Sequence, residues 1–249
     1  DTARALTRAG AEPEILVIRN LSPADVEDSL ERMAEAPGRS QVLVIPGGFS
    51  GGDVPHGSGI LINAFFRREK LSDAVHELLY GRDGLILGIC NGFQALIKLG
   101  LVPFGRIVET DGNCPTLTYN AIGRHQSRLV RTRVCSNLSP WLSKCAVGDI
   151  HTVAISHGEG RFVCPPELLA QLRANGQLAT QYVNLDGEPS MDLRYDPNGS
   201  VLAVEGITSP DGRVFGKMGH SERSGLGLYA NVPGDKLQPI FEGGVEYFK

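Results

Sequence analysis

The 249-residue sequence has no apolar run approaching the roughly 20 residues a membrane-spanning helix needs. No Gly-Lys-Ser/Thr follows its glycine-rich stretch, which removes the usual phosphate-binding loop. Its five cysteines, Cys90, Cys114, Cys135, Cys145 and Cys164, show no C-x-x-C spacing. An odd, scattered set makes a poor disulfide scaffold and fits a reducing, cytoplasmic setting. His56, His76, His125 and His151 lack metal-ligand spacing. Excess charge is missing too: 24 Lys and Arg against 28 Asp and Glu give no reason to expect nucleic acid or an anionic membrane as partner. With no internal repeat, low-complexity run or linker-like stretch, one domain over residues 1–249 is the expectation.

A hydrophobic content of 41% is enough for a sizeable core. Residues 15–18 read as a strand. Ser22, Pro23 and Asp25 then read as a helix N-cap, a proline at the first helical position and an acid at the third. Val26, Leu30 and Met33 supply that helix's buried stripe, and Pro37-Gly38 ends it. Residues 42–45 form an all-apolar strand, as expected in a sheet covered on both faces. A helix over 60–79 and a strand over 85–89 follow. The alternation argues for a parallel sheet. Strand signals crowd the second half, at 129–134, 152–155, 181–184, 201–207 and 214–217, and a closing helix is expected over 237–247.

The most informative segment is Leu87-Gly88-Ile89-Cys90-Asn91-Gly92-Phe93-Gln94. A cysteine between an apolar strand and a periodic helix, flanked by small residues, is the layout of a nucleophile elbow. The thiol is expected exposed at the helix N-terminus, where the dipole favours thiolate. The Asn91 N–H is placed to donate to an oxyanion. A cysteine nucleophile needs a base and a group to orient it. His220 and Glu222, two apart and so on one face of an extended segment, are the strongest candidates.

The order Cys90, His220, Glu222 resembles the class I (triad) glutamine amidotransferases. Four blocks in sequence narrow the resemblance: Ile45-Pro46-Gly47-Gly48-Phe49-Ser50-Gly51-Gly52-Asp53, the elbow, Ile155-Ser156-His157-Gly158-Glu159-Gly160-Arg161-Phe162 and Gly219-His220-Ser221-Glu222-Arg223. With Asp196-Pro197-Asn198-Gly199-Ser200 they are similar to the glutaminase domains of phosphoribosylformylglycinamidine synthases, over nearly the whole chain. Ser221 stands where those domains usually carry proline.

The resemblance implies an α/β fold, a three-layer α/β/α flavodoxin-like arrangement whose sheet is mostly parallel with extra antiparallel strands in the second half. It implies hydrolysis of L-glutamine to glutamate and ammonia by Cys90, with His220 as base and Glu222 as its orienter. Gly48 would be the second oxyanion donor beside Asn91. Gln94, Ser156, His157 and Gly158 would contact glutamine. No cofactor or metal is expected in this chain. ATP and Mg²⁺ are expected in a synthetase domain or subunit that takes up the ammonia in purine biosynthesis. The basic stretch Gly123–Arg128, with Arg131 and Arg133, could dock that portion or be a solvated strand edge. Such domains carry a strand before their first helix, whereas residues 2–9 already read as helix. A chain cut from a longer polypeptide and lacking its first strand is therefore expected. Two rival readings remain: another Cys-His hydrolase of this scaffold, such as a γ-glutamyl peptidase or a DJ-1/PfpI-like protein, and a non-catalytic glutamine-binding or scaffolding module. Asn91 counts against the DJ-1/PfpI group, which places His directly after the cysteine. The intact trio counts against the module.

Overall fold

The computed structural model describes residues 1–48 and 59–249. Its elements are, in order, α1 (Thr2–Ala9), α2 (Pro23–Glu35), β1 (Val42–Ile45), α3 (Ile60–Phe66), α4 (Glu69–His76), β2 (Leu85–Ile89), α5 (Asn91–Leu99) and the short α6 (Leu101–Phe104). The second half carries β3 (Thr116–Tyr119), β4 (Gln126–Val134), β5 (Ile150–His157), β6 (Glu159–Val163), α7 (Pro166–Ala174), β7 (Leu178–Tyr182), β8 (Val204–Thr208), β9 (Val214–Lys217) and α8 (Ile240–Glu246).

Seven strands form one sheet in the order β1-β2-β9-β8-β7-β4-β5, and β3 pairs with β6 apart from it. The fold is α/β, as expected, with antiparallel strands added from the second half. The balance differs from a mostly parallel sheet. Among the described residues only β1-β2 and β2-β9 run parallel, while β9-β8, β8-β7, β7-β4 and β4-β5 are antiparallel. The turn Asp211-Gly212 explains one of these pairs: it joins β8 directly to β9, and a short connection reverses a chain, whereas parallel neighbours need a long crossover.

The core centres on β2. Gly88 faces α5, where a Cβ would strike Leu96 and the Gly92 backbone. Leu87 and Ile89 point the other way and are fully buried, so the sheet is covered on both faces. α5 packs against β1, β2 and β9. Ser22 caps α2 by accepting from the Asp25 N–H, as its sequence predicts.

Several expected boundaries move. Residues 15–18 form no strand. Among the described residues no neighbouring strand takes up their backbone groups, Ile15 and Val17 stay 71% and 63% exposed, and the Ser29 hydroxyl bonds both the N–H and the C=O of Arg19. The expected helix over 60–79 breaks at Arg67 and Arg68. There the Arg67 guanidinium turns away to Glu109 and to the carbonyls of Lys98 and Val108. Residues 201–203 form a turn with Leu202 at φ 50°, which delays the expected strand to Val204.

Candidate active site

Cys90 sits between β2 and α5 with φ 53° and ψ −107°, a left-handed backbone that a non-glycine residue adopts only under constraint. The constraint is visible. The Cys90 N–H donates to the Lys217 carbonyl at 2.8 Å, and its C=O accepts from the Gln94 N–H at 3.0 Å. A Cβ on Gly92 would collide with the Ile45 carbonyl, so only glycine lets α5 start this close to β1.

The thiol is not exposed as expected: Cys90 is 6% accessible. Burial pushes its pKa up to about 11 against the Asn91 N–H, which hydrogen-bonds the sulfur; Glu222 adds to the rise, while Arg223 and the Gly48 N–H oppose it. Desolvation of the charged form therefore outweighs the backbone N–H bonds offered to the sulfur at the start of α5. The two expected oxyanion donors, Asn91 and Gly48, both point their amides at the sulfur. The sulfur also lies 3.9 Å from the Ser156 carbonyl.

His220 follows β9. Its Nδ1 lies 2.6 Å from Glu222 Oε1, and both side chains are buried. The pair is joined not by an extended segment but by a tight turn, Ser221–Arg223, which brings the carboxylate back to the ring. The His220 N–H donates to the Ala154 carbonyl at 2.8 Å. Nε2 has no hydrogen-bond partner among the described residues. A Cβ on Gly47 would lie 2.6 Å from His220 Cε1 and 3.1 Å from Cys90 Cβ, so the imidazole and the cysteine flank that glycine. Gly48, Cys90 and His220 thus stand just beyond the carboxyl ends of β1, β2 and β9, the three parallel strands. Open α/β sheets present ligand sites at such ends.

The expected glutamine contacts come from both halves of the molecule. Gln94 is buried one helical turn after Cys90, and its amide donates to the Glu159 carbonyl. Ser156 presents its carbonyl to Cys90, while its hydroxyl lies 3.1 Å from His125 Nε2. His157 is buried, and neither ring nitrogen has a hydrogen-bond partner among the described residues. Burial, then the neighbouring His220 and His125, push its pKa down to about 3. It is a neutral wall at physiological pH. The Gly158 carbonyl accepts from the Asn120 N–H at 2.9 Å.

The Asp196–Ser200 motif lies behind this wall. Asp196 Oδ1 accepts from the Asn198 and Gly199 amides, and Asn198 Nδ2 donates to the Gly160 carbonyl at 3.0 Å. The Ser200 hydroxyl accepts from the Phe162 N–H. The motif thus staples β6 in place. Much of the basic stretch is equally committed: Arg128 and Arg131 donate to carbonyls of Arg194, Asn184 and Leu185. They brace residues 184–194. Residues 49–58, including His56 and the rest of the glycine-rich block, lie outside the described residues. Among the described residues no cluster of three His, Cys, Asp or Glu side chains could hold a metal.

Sequence reasoning passed over Lys217, Glu205 and Gln238, which are buried beside the His220 turn. The signal was a Glu inside β8 and a Lys closing β9, two strands otherwise without charge.

Residues 1–248 match the CobB/CobQ-like glutamine amidotransferase domain. The protein named phosphoribosylformylglycinamidine synthase subunit PurQ from Methanococcus maripaludis is 33% identical over 264 residues, an alignment covering 100% of this chain and 90% of that one. The protein of the same name from Treponema denticola is 36% identical over 242 residues, covering 90% and 83%. Among solved structures, PurLQS from Thermotoga maritima superposes with a TM-score of 0.68 at 24% identity, over 100% of this chain and 92% of that chain, a likeness of fold.

Proposed function

The chain belongs to the CobB/CobQ-like glutamine amidotransferases, and from that premise we propose how its residues act as the glutaminase of a phosphoribosylformylglycinamidine synthase. It hydrolyses glutamine and supplies the ammonia to a synthetase partner in purine biosynthesis, a reading supported by its relatives, which are named as subunits of phosphoribosylformylglycinamidine synthase. ATP and Mg²⁺ act in that partner, and both work in the cytoplasm. No helix among the described residues is long and apolar enough to cross a membrane.

The observation that carries the reading is a sulfur met by two backbone N–H donors, with a buried imidazole bonded to Glu222 on the far side of Gly47 from Cys90. A thiol with a pKa near 11 is protonated at rest and needs a base. His220 Nε2 accepts the Cys90 proton as the sulfur attacks the side-chain amide carbon of glutamine. Glu222 accepts from Nδ1–H, fixing the tautomer and supporting the imidazolium that forms. The tetrahedral oxyanion takes the Asn91 and Gly48 N–H bonds, each worth about 10²–10³ in rate. The imidazolium returns its proton to the leaving nitrogen, and ammonia departs. Water, deprotonated by His220, then cleaves the glutamyl thioester to glutamate and regenerates the thiol.

Cys90→Ala in the complete synthase tests this. Glutamine-dependent synthesis should be lost while synthesis from added ammonia persists, because the two chemistries occupy separate sites. Equal loss of both would assign Cys90 a shared or structural role.

A further inference from the structure

The triad's geometry is held by a buried ionic network outside the triad itself. Lys217 ends β9, is fully buried, and directs its ammonium to Ser221 Oγ at 2.8 Å and Gln238 Oε1 at 2.8 Å, with Glu205 Oε1 at 3.6 Å. The Ser221 hydroxyl in turn donates a hydrogen bond to Gln238 Oε1 at 2.6 Å. Glu205, fully buried on β8, accepts from the Gly219 N–H at 2.6 Å and from the Thr180 hydroxyl. A buried ammonium is costly unless each of its donors is satisfied. Here two hydrogen bonds and the charge of Glu205 at 3.6 Å surround the ammonium, all beside one turn.

The consequence is local. Every residue from the end of β9 to the spacer of the His–Glu pair is tied down: the Met218 N–H to the Glu205 carbonyl, the Gly219 N–H to the Glu205 carboxylate, the His220 N–H to the Ala154 carbonyl, and the Ser221 hydroxyl to Lys217. The Lys217 carbonyl meanwhile accepts from the Cys90 N–H.

We propose that Lys217 is a positioning residue for the glutaminase reaction, its carbonyl fixing the nucleophile and its ammonium, through Ser221, fixing the base and its orienting acid. The inference rests on the Cys90, His220, Glu222 reading above. Lys217 touches no reacting atom. It sets the distance between two groups that must meet, and a misplacement of about 1 Å can cost 10²-fold in rate. Ser221 opens the turn after His220, a position where proline is also tolerated because its ring presets the backbone. A proline there would fix the turn without the lysine.

The test uses the complete synthase, with glutamine hydrolysis, ammonia-dependent synthesis and thermal midpoint measured in parallel. Ser221→Ala should lower kcat for glutamine about 10–100-fold, with KM within about twofold and ammonia-dependent synthesis intact. Ser221→Pro should recover much of that loss. Lys217→Met should match Ser221→Ala, and combining them should add little, since the two act as a unit. Lys217→Met strands the Glu205 carboxylate; if it fails to assemble, Lys217→Met with Glu205→Gln replaces it, and Ser221→Ala and Ser221→Pro decide the matter alone. Wild-type kcat in Ser221→Ala, or a rise in KM alone, overturns the proposal. So does a kcat loss that Ser221→Pro deepens. If instead Cys90→Ala retains glutamine-dependent synthesis, the catalytic reading itself has failed, whatever the Ser221 variants do.

Discussion

The three parallel strands and the four antiparallel partners do different work. β1, β2 and β9 end in Gly48, Cys90 and the His220–Glu222 turn, and their ends are held by backbone bonds, close glycines and one strained residue. The antiparallel region, reaching out to β4 and β5 with β6 alongside, supplies Ser156, His157 and Gly158, held mainly by side-chain staples such as Asn120, Asn198 and Ser200. The first region holds the reacting groups through the backbone itself. The second builds a wall against which a substrate can lie. The difference teaches that the two regions should fail differently: damage to the parallel ends should lower kcat, and damage to the wall should raise KM.

The largest expected effect is at the parallel ends. In the Ser-His-Asp enzymes, losing the base costs on the order of 10⁶ in kcat and losing its orienter roughly 10⁴. His220→Ala and Glu222→Gln should show that ranking in steady-state glutaminase assays, with KM little changed. A ranking reversed, or expressed in KM, would break the division of labour. Next in size is Gly47→Ala. Its methyl would meet His220 Cε1 at 2.6 Å, so the imidazole must shift, and kcat should fall about 10²-fold while the protein still folds.

On the wall, His157→Leu should change kcat only a few-fold and raise KM by less than about tenfold. The ring is uncharged and unbonded, and an apolar side chain in its place leaves no polar atom stranded. A collapse of kcat would make His157 a second base. The smallest effect belongs to Asp196, whose carboxyl burial lifts to about 7 against the pull of three backbone amides. Unfolded, it titrates near 3.9. Its protonated folded form thus contributes stability that is complete below about pH 4 and lost as pH rises through 7. Asp196→Asn cannot ionise and keeps an oxygen for the amides. Its thermal midpoint should gain on the parent by a few degrees between pH 5 and 8 and show no gain near pH 4. A gain at acid pH instead would mean the carboxyl is ionised in the fold.

How much of this the sequence made legible differs by region. Cys90 stood out because an elbow demands small residues around one nucleophile, and Gly88 and Gly92 are visible in the sequence itself. The His220–Glu222 pairing followed from spacing, although the geometry proved to be a turn rather than one face of a strand. Residues 15–18 misled because an apolar run says nothing of whether a neighbour exists to receive its hydrogen bonds. The thiol's protonation state was misjudged because a helix dipole is visible in sequence and the depth of burial is not. β3 and β6 were missed, since a two-stranded pair apart from the main sheet has little periodicity to show. Lys217 escaped because a charged residue at a strand end ordinarily points to water. Only the fold reveals Gln238, 21 residues away, at its ammonium.

The central claim is that the sulfur at the end of β2 is the nucleophile. Inactivating the complete synthase with a glutamine-mimicking diazo-ketone and mapping the labelled peptide tests it most directly. One label per chain, on Cys90, with Cys114, Cys135, Cys145 and Cys164 unmodified, is the predicted result. Stoichiometric labelling of any other cysteine, or inactivation that leaves Cys90 free, would contradict it.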